Sequence, residues 1–315
     1  MSQEPTARRL LRSSAEWSYD PRVDIDWSAP RREDAVLALT HRLPLYGTEL
    51  WNSLTPGQQA ELARQEAVTS LSVVIHAELS LMRSLLRAVQ EGDPAADNAL
   101  YALTEVGDEC RHSTMFARTI AWLGGSVVPQ SRLTTRLLNV VSALLPQGPF
   151  FWASALFFEE PVDRLQREAM ADERLDPLLR MVYRIHVLEE ARHVAYAREA
   201  AVRTMRKAGP VSRRLNRLGV AFLAWSLGRA LIRPQTYARA GLDARAAYRC
   251  ALANPHYHES LRWMSERLVA FCAEAGFLRG RVTMALWRRS HLLGDSARRH
   301  PGVDETPEEP DRSLD

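Results

Sequence analysis

The stretch Val182–Tyr196, V-Y-R-I-H-V-L-E-E-A-R-H-V-A-Y, decides how the remainder of the 315-residue chain is read. His186, Glu190 and His193 stand at i, i+4 and i+7, so at 3.6 residues per turn they fall within about 60° of one another on a helix. Their neighbours Val182, Ile185, Val187, Ala191, Val194 and Ala197 are apolar. Two imidazoles and a carboxylate therefore share a stripe that should face a core, where unsatisfied polar groups are costly. A metal ion would satisfy them economically, but one helix does not complete a metal site. Other helices have to supply matching ligands.

The first half of the chain repeats the pattern. Asp108-Glu109-Cys110-Arg111-His112 and Glu189-Glu190-Ala191-Arg192-His193 both read acid-Glu-x-Arg-His, 81 positions apart (190 − 109). The helix before each should carry one more inward acid. Glu78 does so amid V-V-I-H-A-E-L-S-L-M. Glu159 and Glu160 compete in the second half, and Glu159 is preferred because it repeats the offset (159 − 78 = 81). One glutamate from each of two helices plus Glu-x-x-His from each of the other two is what di-iron and di-manganese sites inside helix bundles require. Four glutamates would balance the charge of two ferrous ions, and iron takes carboxylate and imidazole readily. A lone Glu-x-x-His, a surface acid doublet or a capped core acid each has an ordinary structural explanation. Six such positions in order on four separate helices are far harder to produce by accident.

The same stripe holds further groups. The counterpart of His186 by offset is Glu105, on the face of Glu109 and His112. Spacing leaves His186 three readings: a satisfied core histidine, a donor to a ligand, or a seventh ligand. Asp108 and Glu189 precede the ligand glutamates, and hydrogen bonding to a ligand histidine, helped by Arg111 and Arg192, is the role expected of them. Exposed salt bridging is the alternative for all four.

Composition sets bounds on function. The chain is 46% hydrophobic and 25% charged, as in an ordinary soluble globular protein. A net charge of +3, from 41 basic and 38 acidic residues, makes no case for nucleic acid or membrane as partner. Lys207 is the only lysine. Cys110, Cys250 and Cys272 lack zinc-type spacing and fit a reducing compartment. The N-terminus has no apolar signal region and no run is long enough to span a membrane, so a cytoplasmic protein is expected.

Periodicity predicts an all-α chain. Residues 1 to about 30 read as a mobile, arginine-rich arm with Trp17 and Trp27 as anchors, and residues 42–51 as an extended strap. Thr55-Pro56-Gly57-Gln58 starts a helix that runs to about Glu91. Further helices are expected over about 94–123, 130–145, 150–171, 177–208, 211–231, 244–253, 256–275 and 279–293. Residues 31–293 are expected to form one domain with its ligand-bearing core at about 55–208, and the acidic, proline-rich tail over 294–315 to be disordered. Long helices with short connections point to a bundle.

The segments I-H-V-L-E-E-A-R-H-V-A-Y-A-R-E, D-E-C-R-H and L-P-L-Y-G-T-E-L-W-N-S-L-T resemble the p-aminobenzoate N-oxygenase family, ferritin-like di-iron arylamine oxygenases of antibiotic pathways. The resemblance covers about residues 40 to 205. It implies a ferritin-like bundle with two non-haem iron ions, dioxygen as co-substrate, a small amine as substrate and oxidation of its nitrogen to hydroxylamine, nitroso or nitro products. In that family the first histidine of H-x-x-x-E-x-x-H is an iron ligand, which makes His186 a ligand beside Glu78, Glu109, His112, Glu159, Glu190 and His193. An external electron donor is implied too, since no flavin or nicotinamide fingerprint appears.

Three other readings share the scaffold. A C–H hydroxylase or desaturase would use the same metals, and a non-enzymatic ferritin-like iron binder would need only the site. A radical-generating subunit would use a tyrosine beside the ligands, and Tyr183 and Tyr196 lie there. The apolar segments around Phe150 and Trp225 would suit a homodimer face.

Overall fold

The computed structural model describes residues 6–132, 134–136, 139–140 and 147–294. Helix α3 (Pro56–Glu91) begins on a capping box: Thr55 Oγ1 accepts from the Gln58 amide at 3.3 Å while Gln58 Oε1 accepts from the Thr55 amide at 2.9 Å. Helix α4 (Asp97–Trp122) follows and stops where Gly124 takes the left-handed conformation, φ +69°. Helices α5 (Pro149–Ala171) and α6 (Pro177–Lys207) form the second pair, each with proline in its first turn. Asp176 caps α6 through a bond from the Leu178 amide at 2.9 Å. Most of the helix expected over 130–145, and the tail beyond Gly294, lie outside the described residues.

Burial along these four helices explains their directions. On α3, Val68, Leu71, Val74 and Ile75 belong to one apolar cluster, and Leu81, Leu85 and Val89 to a second. Glu78 sits between the two. Helix α4 runs the other way, from Tyr101 and Ala102 in the second cluster to Met115, Phe116 and Ile120 in the first. Helix α5 keeps that direction, from Trp152 and Leu156 to Val162 and Ala169, and α6 reverses it, from Leu179 and Val182 to Ala197 and Ala200. α4 and α5 thus run the same way, the polarity of ferritin-like bundles that have one crossover connection. Each helix carries its candidate ligands near mid-length, between two dry clusters.

The shorter helices pack outside this core. α7 (Pro210–Ala230) and α10 (Pro255–Glu274) lie against α5, α11 (Arg281–Arg289) lies against α7, and α8 (Pro234–Arg239) meets α3 and α9 (Ala244–Ala253). Gly219 on α7 makes one approach feasible, because a β-carbon there would stand 2.7 Å from the Phe150 ring. On the outer side of α7, Val211, Leu215 and Phe222 are exposed. Among the described residues no helix is long and apolar enough to cross a membrane.

The beginning of the chain differs from the sequence reading. Instead of an aperiodic arm, Thr6–Glu16 forms helix α1, which packs on α4 and α6 with Ala7, Leu10 and Ser14 buried. Its apolar positions are few among arginines, which hides the amphipathic face in a composition scan. Trp17 anchors nothing, being 68% exposed, whereas Trp27 is half-buried under the Arg118 guanidinium. The expected extended strap is a 3-10 turn at Thr40–Arg42 followed by tight turns and a short helix α2, Glu49–Asn52. It is packed on the body as expected, with Leu43, Leu45 and Trp51 buried.

Candidate metal centre

The seven candidate ligands arrive from four helices at one level of the bundle. Glu78 comes from α3, Glu109 and His112 from α4, Glu159 from α5, and His186, Glu190 and His193 from α6. All seven are buried, and Glu159, the most exposed, shows only 4% of its surface. Overlapping triads such as Glu78–His112–His186, Glu109–His112–Glu190 and Glu159–His186–Glu190 each bring their ligand atoms within 4.8 Å of one another. Glu105, one turn before Glu109, forms a further triad with Glu109 and His193.

The centre is organised around two carboxylates. Glu190 Oε1 lies 3.1 Å from His193 Nδ1, 3.2 Å from His112 Nδ1 and 3.6 Å from His186 Nε2. Glu109 faces the same two histidines, with Oε2 3.4 Å from His112 Nδ1 and Oε1 3.3 Å from His193 Nδ1. Glu78 approaches from the His186 side, 3.6 Å from its Nε2, and takes a 2.6 Å bond from the Ser113 hydroxyl on its other oxygen. The neighbours Glu159 and Glu160 point to different surroundings. Glu159 turns toward the other carboxylates, while Glu160 is bound in a fork by Arg198 at 2.7 and 2.6 Å.

Each imidazole is held from behind, and the holding is crossed between helices. His112 Nε2 bonds Glu189 Oε2 at 2.8 Å, and His193 Nε2 bonds Asp108 Oδ2 at 3.2 Å. The acid that precedes the glutamate on one helix therefore fixes the histidine of the other. A donated Nε2–H leaves the Nδ1 lone pair facing the centre, which is the tautomer a metal ligand needs. Arg111 bonds Asp108 and lies 3.9 Å from Glu189, while Arg192 reaches Asp108 at 3.5 Å and Glu189 at 3.9 Å. The backbone amide of Tyr19 closes the array with a 3.0 Å bond to Glu189 Oε1. His186 is turned the opposite way: Nδ1 meets Gln166 Oε1 at 2.7 Å and Nε2 points inward. Gln166, Ser113 and Tyr19 escaped the sequence reading. Gln166 and Ser113 left usable signals, since Gln166 is seven residues after Glu159 and Ser113 four after Glu109, each on the face of a candidate ligand.

The electrostatics show what the cluster lacks. Glu78, Glu109, Glu159 and Glu190 each keep one buried oxygen with no hydrogen-bond partner, as does the inward Nε2 of His186. Burial raises the Glu78 carboxyl, and burial plus the charges of Glu190, Glu109 and Glu78 raise Glu159 further. Burial lifts Glu105 to about 8. For Glu190 burial is overruled by His193, His112 and His186, which hold it well below the usual carboxylate range. His112 and His193 resist burial and are raised by the acids around them. Bare protein must therefore hold protons where the carboxylates call for cations. Hard oxygen donors with imidazole, orphaned and converging, fit a pair of iron or manganese ions.

A cavity of about 120 Å³ is lined by Val74, Val162, Leu165, Tyr183 and Gln166, the residue that bonds His186. An open surface groove of about 570 Å³ along Arg198–Lys207 is larger; the candidate ligands line neither space, and Gln166 ties the smaller cavity to the centre through its bond to His186. Tyr183 faces the cavity, and Tyr196 packs against Tyr101 and Trp152 with ring centres 4.6 and 5.4 Å away.

A family model described as P-aminobenzoate N-oxygenase AurF matches residues 1–276. Among curated proteins, the uncharacterized protein MT0908 of Mycobacterium tuberculosis (strain CDC 1551 / Oshkosh) is 28% identical over 220 residues, 67% of this chain and 63% of that protein. The uncharacterized protein Mb0909 of Mycobacterium bovis is 28% identical over 198 residues, 60% of this chain and 58% of that protein. The chain thus spans less than two thirds of the length of these relatives. Among solved structures, a point variant of R2-like ligand-binding oxidase with aerobically reconstituted Mn/Fe cofactor aligns with a TM-score of 0.46 and 13% identity, over 91% of this chain and 90% of that one. The same oxidase after photoconversion gives 0.45 and 13%, over 92% and 91%.

Two outcomes are expected of this centre. Replacing Glu189 with Gln or Asp108 with Asn frees the histidine each one holds, and should weaken metal binding by roughly 10–100-fold in a chelator competition while leaving the helical circular dichroism unchanged. In metal-free protein, Glu105, His112 and His193 all bind protons more tightly folded than unfolded. Their contribution is complete below the unfolded values, near 4.5 for the acid and 6.5 for the histidines, and is lost as pH rises through the folded ones. Denaturant midpoints of metal-free protein should therefore fall between pH 6 and pH 9, and bound metal should flatten that slope.

Proposed function

This chain belongs to the p-aminobenzoate N-oxygenase family, and on that footing we propose that it is a dimetal oxygenase that transfers oxygen from dioxygen to the nitrogen of a small arylamine. One observation carries the reading: three imidazole nitrogens surround Glu190 Oε1, with His186 Nε2 aimed inward as the third. Spacing alone left His186 with three roles. Its orphaned nitrogen beside Glu78 and Glu190 favours a ligand.

Glu109 and Glu190, which each face both His112 and His193, would hold the metals together with those histidines, His186, Glu78 and Glu159. Two iron ions there would supply the activation of dioxygen; manganese in one position is compatible with the same donors. The residues around them fix the ligands and keep water out. Asp108 and Glu189 hold the imidazole tautomers, and the clusters around Phe116 and Leu156 seal the bundle above and below. The cavity beside Gln166 is near the roughly 150 Å³ that accepts one benzene ring in an apolar core, which suits a single-ring amine. Electrons would come from an external reductant. The exposed stripe Val211, Leu215 and Phe222 on α7, near Phe150, supports a second copy of the chain as partner.

Protein loaded anaerobically with ferrous iron should carry about two irons per chain. Mixed with oxygen, a reductant and para-substituted anilines, it should yield hydroxylamine, nitroso or nitro compounds by mass spectrometry. Two bound irons with ring- or side-chain-hydroxylated products would instead assign a C–H hydroxylase. Bound iron with no substrate oxidation at all would leave an iron-binding protein.

A further inference from the structure

The end of the cavity away from the metals holds a group that the metal centre does not use. Glu66 lines that end, only 8% exposed, and its Oε1 has no hydrogen-bond partner. It stands eight residues before Val74 on α3, or ~12 Å along the helix at 1.5 Å per residue. Among the described residues the cavity has one other charged lining group, Arg42. Arg42 is already committed: its Nε donates to Glu168 at 2.9 Å and its guanidinium lies 3.7 Å over the Trp263 ring. Tyr257 spends its hydroxyl on the Gly228 carbonyl at 2.7 Å, and Gln166 accepts His186 at the metal end. The remaining walls are largely aliphatic: Val73, Val74, Val162, Leu165 and Ile232.

We propose that Glu66 determines the substrate's far end: the cavity takes a ring whose amine points to Gln166 and the metals and whose opposite substituent is a hydrogen-bond donor, a hydroxyl or amine, rather than a carboxylate. The assignment rests on the N-oxygenase reading for the orientation of the amine. An orphaned carboxyl oxygen in an apolar chamber is unfavourable until a donor meets it, so a ligand that brings one gains what the empty site lacks. A ligand carboxylate would lose its water against Glu66 with no free cation to compensate, since Arg42 is neutralised by Glu168. Burial, opposed in part by Tyr237, lifts the Glu66 carboxyl to about 8, which shows how poorly this end tolerates a lone negative charge. The substrate class would therefore differ from p-aminobenzoate, whose ring bears a carboxylate opposite its amine.

The test uses three matched probes on the full-length, metal-loaded protein without oxygen: para-aminophenethyl alcohol, para-aminophenylacetate and para-ethylaniline, with affinities measured by calorimetry. Wild type should prefer the alcohol over the acid by at least about 10-fold, the equivalent of one buried hydrogen bond, with the ethyl compound between them. Compared with wild type at pH 9, where the Glu66 carboxyl is ionised and only accepts, Glu66→Gln offers an amide donor and should bring alcohol and acid within about threefold of each other. Leu165→Trp, which fills the cavity, should weaken all three together. An acid that binds wild type as well as the alcohol does, or a ranking that Glu66→Gln leaves in place, overturns the assignment. The wild-type ranking decides on its own should Glu66→Gln fold poorly. Nitroso products with the wrong ranking would sink the role of Glu66 alone, whereas the right ranking with no N-oxidised product would sink the reaction.

Discussion

Four carboxylates and three imidazoles in a dry bundle core set the condition that the structure has to meet. Left bare, such groups repel, desolvate and take up protons, as the raised acids Glu78 and Glu159 and the raised histidines His112 and His193 show. The chain offsets this cost with geometry rather than with a run of lysines or arginines at the centre. Its arginines, Arg111 and Arg192, stand one layer out and bind Asp108 and Glu189, which in turn hold the histidines. The innermost space holds no arginine or lysine side chain among the described residues. Apolar clusters on either side then make that space selective for groups able to satisfy it.

The crossed hold of Asp108 on His193 and Glu189 on His112 ties function to fold. It requires α4 and α6 to be in register at mid-length, since a shift of one turn, about 5.4 Å, would part both pairs at once. The bundle's polarity serves the same end, with α4 and α5 running alike and α3 and α6 running opposite to them. The helices beyond the core have a use as well. Leu231, Ile232, Tyr257 and Met264, from the segments around α7 and α10, form the far wall of the cavity beside the centre. This gives a physical reason for a chain longer than one four-helix bundle.

Helical spacing made much of this legible. His186, Glu190 and His193 fall on one face whatever surrounds them, and the repeated acid-Glu-x-Arg-His motif announced a second helix of the same kind. The start of α3 at Thr55 and the stop of α4 near Gly124 follow from local chemistry. Facts that depend on how separate helices meet were not legible. Glu159 and Glu160 are adjacent, and their division depends on the rotation of α5 and on Arg198, a residue 38 positions away. Gln166 and Ser113 serve the centre through contacts between helices, and Tyr19 through its backbone amide, which no side-chain pattern records. Helix α1 was missed because Ala7, Leu10 and Ser14 make a narrow apolar face among arginines. It is stabilised by the α4 and α6 surface rather than by its own sequence.

The most direct test of the account is anomalous diffraction at the iron edge from crystals of the ferrous-loaded protein. The account predicts two peaks roughly 3.5–4 Å apart, as in two-metal sites, between Glu109 and Glu190, with His112 and His193 ligating through Nδ1 and His186 through Nε2. A single peak, or metal bound instead at Asp108 and Glu189, would contradict it.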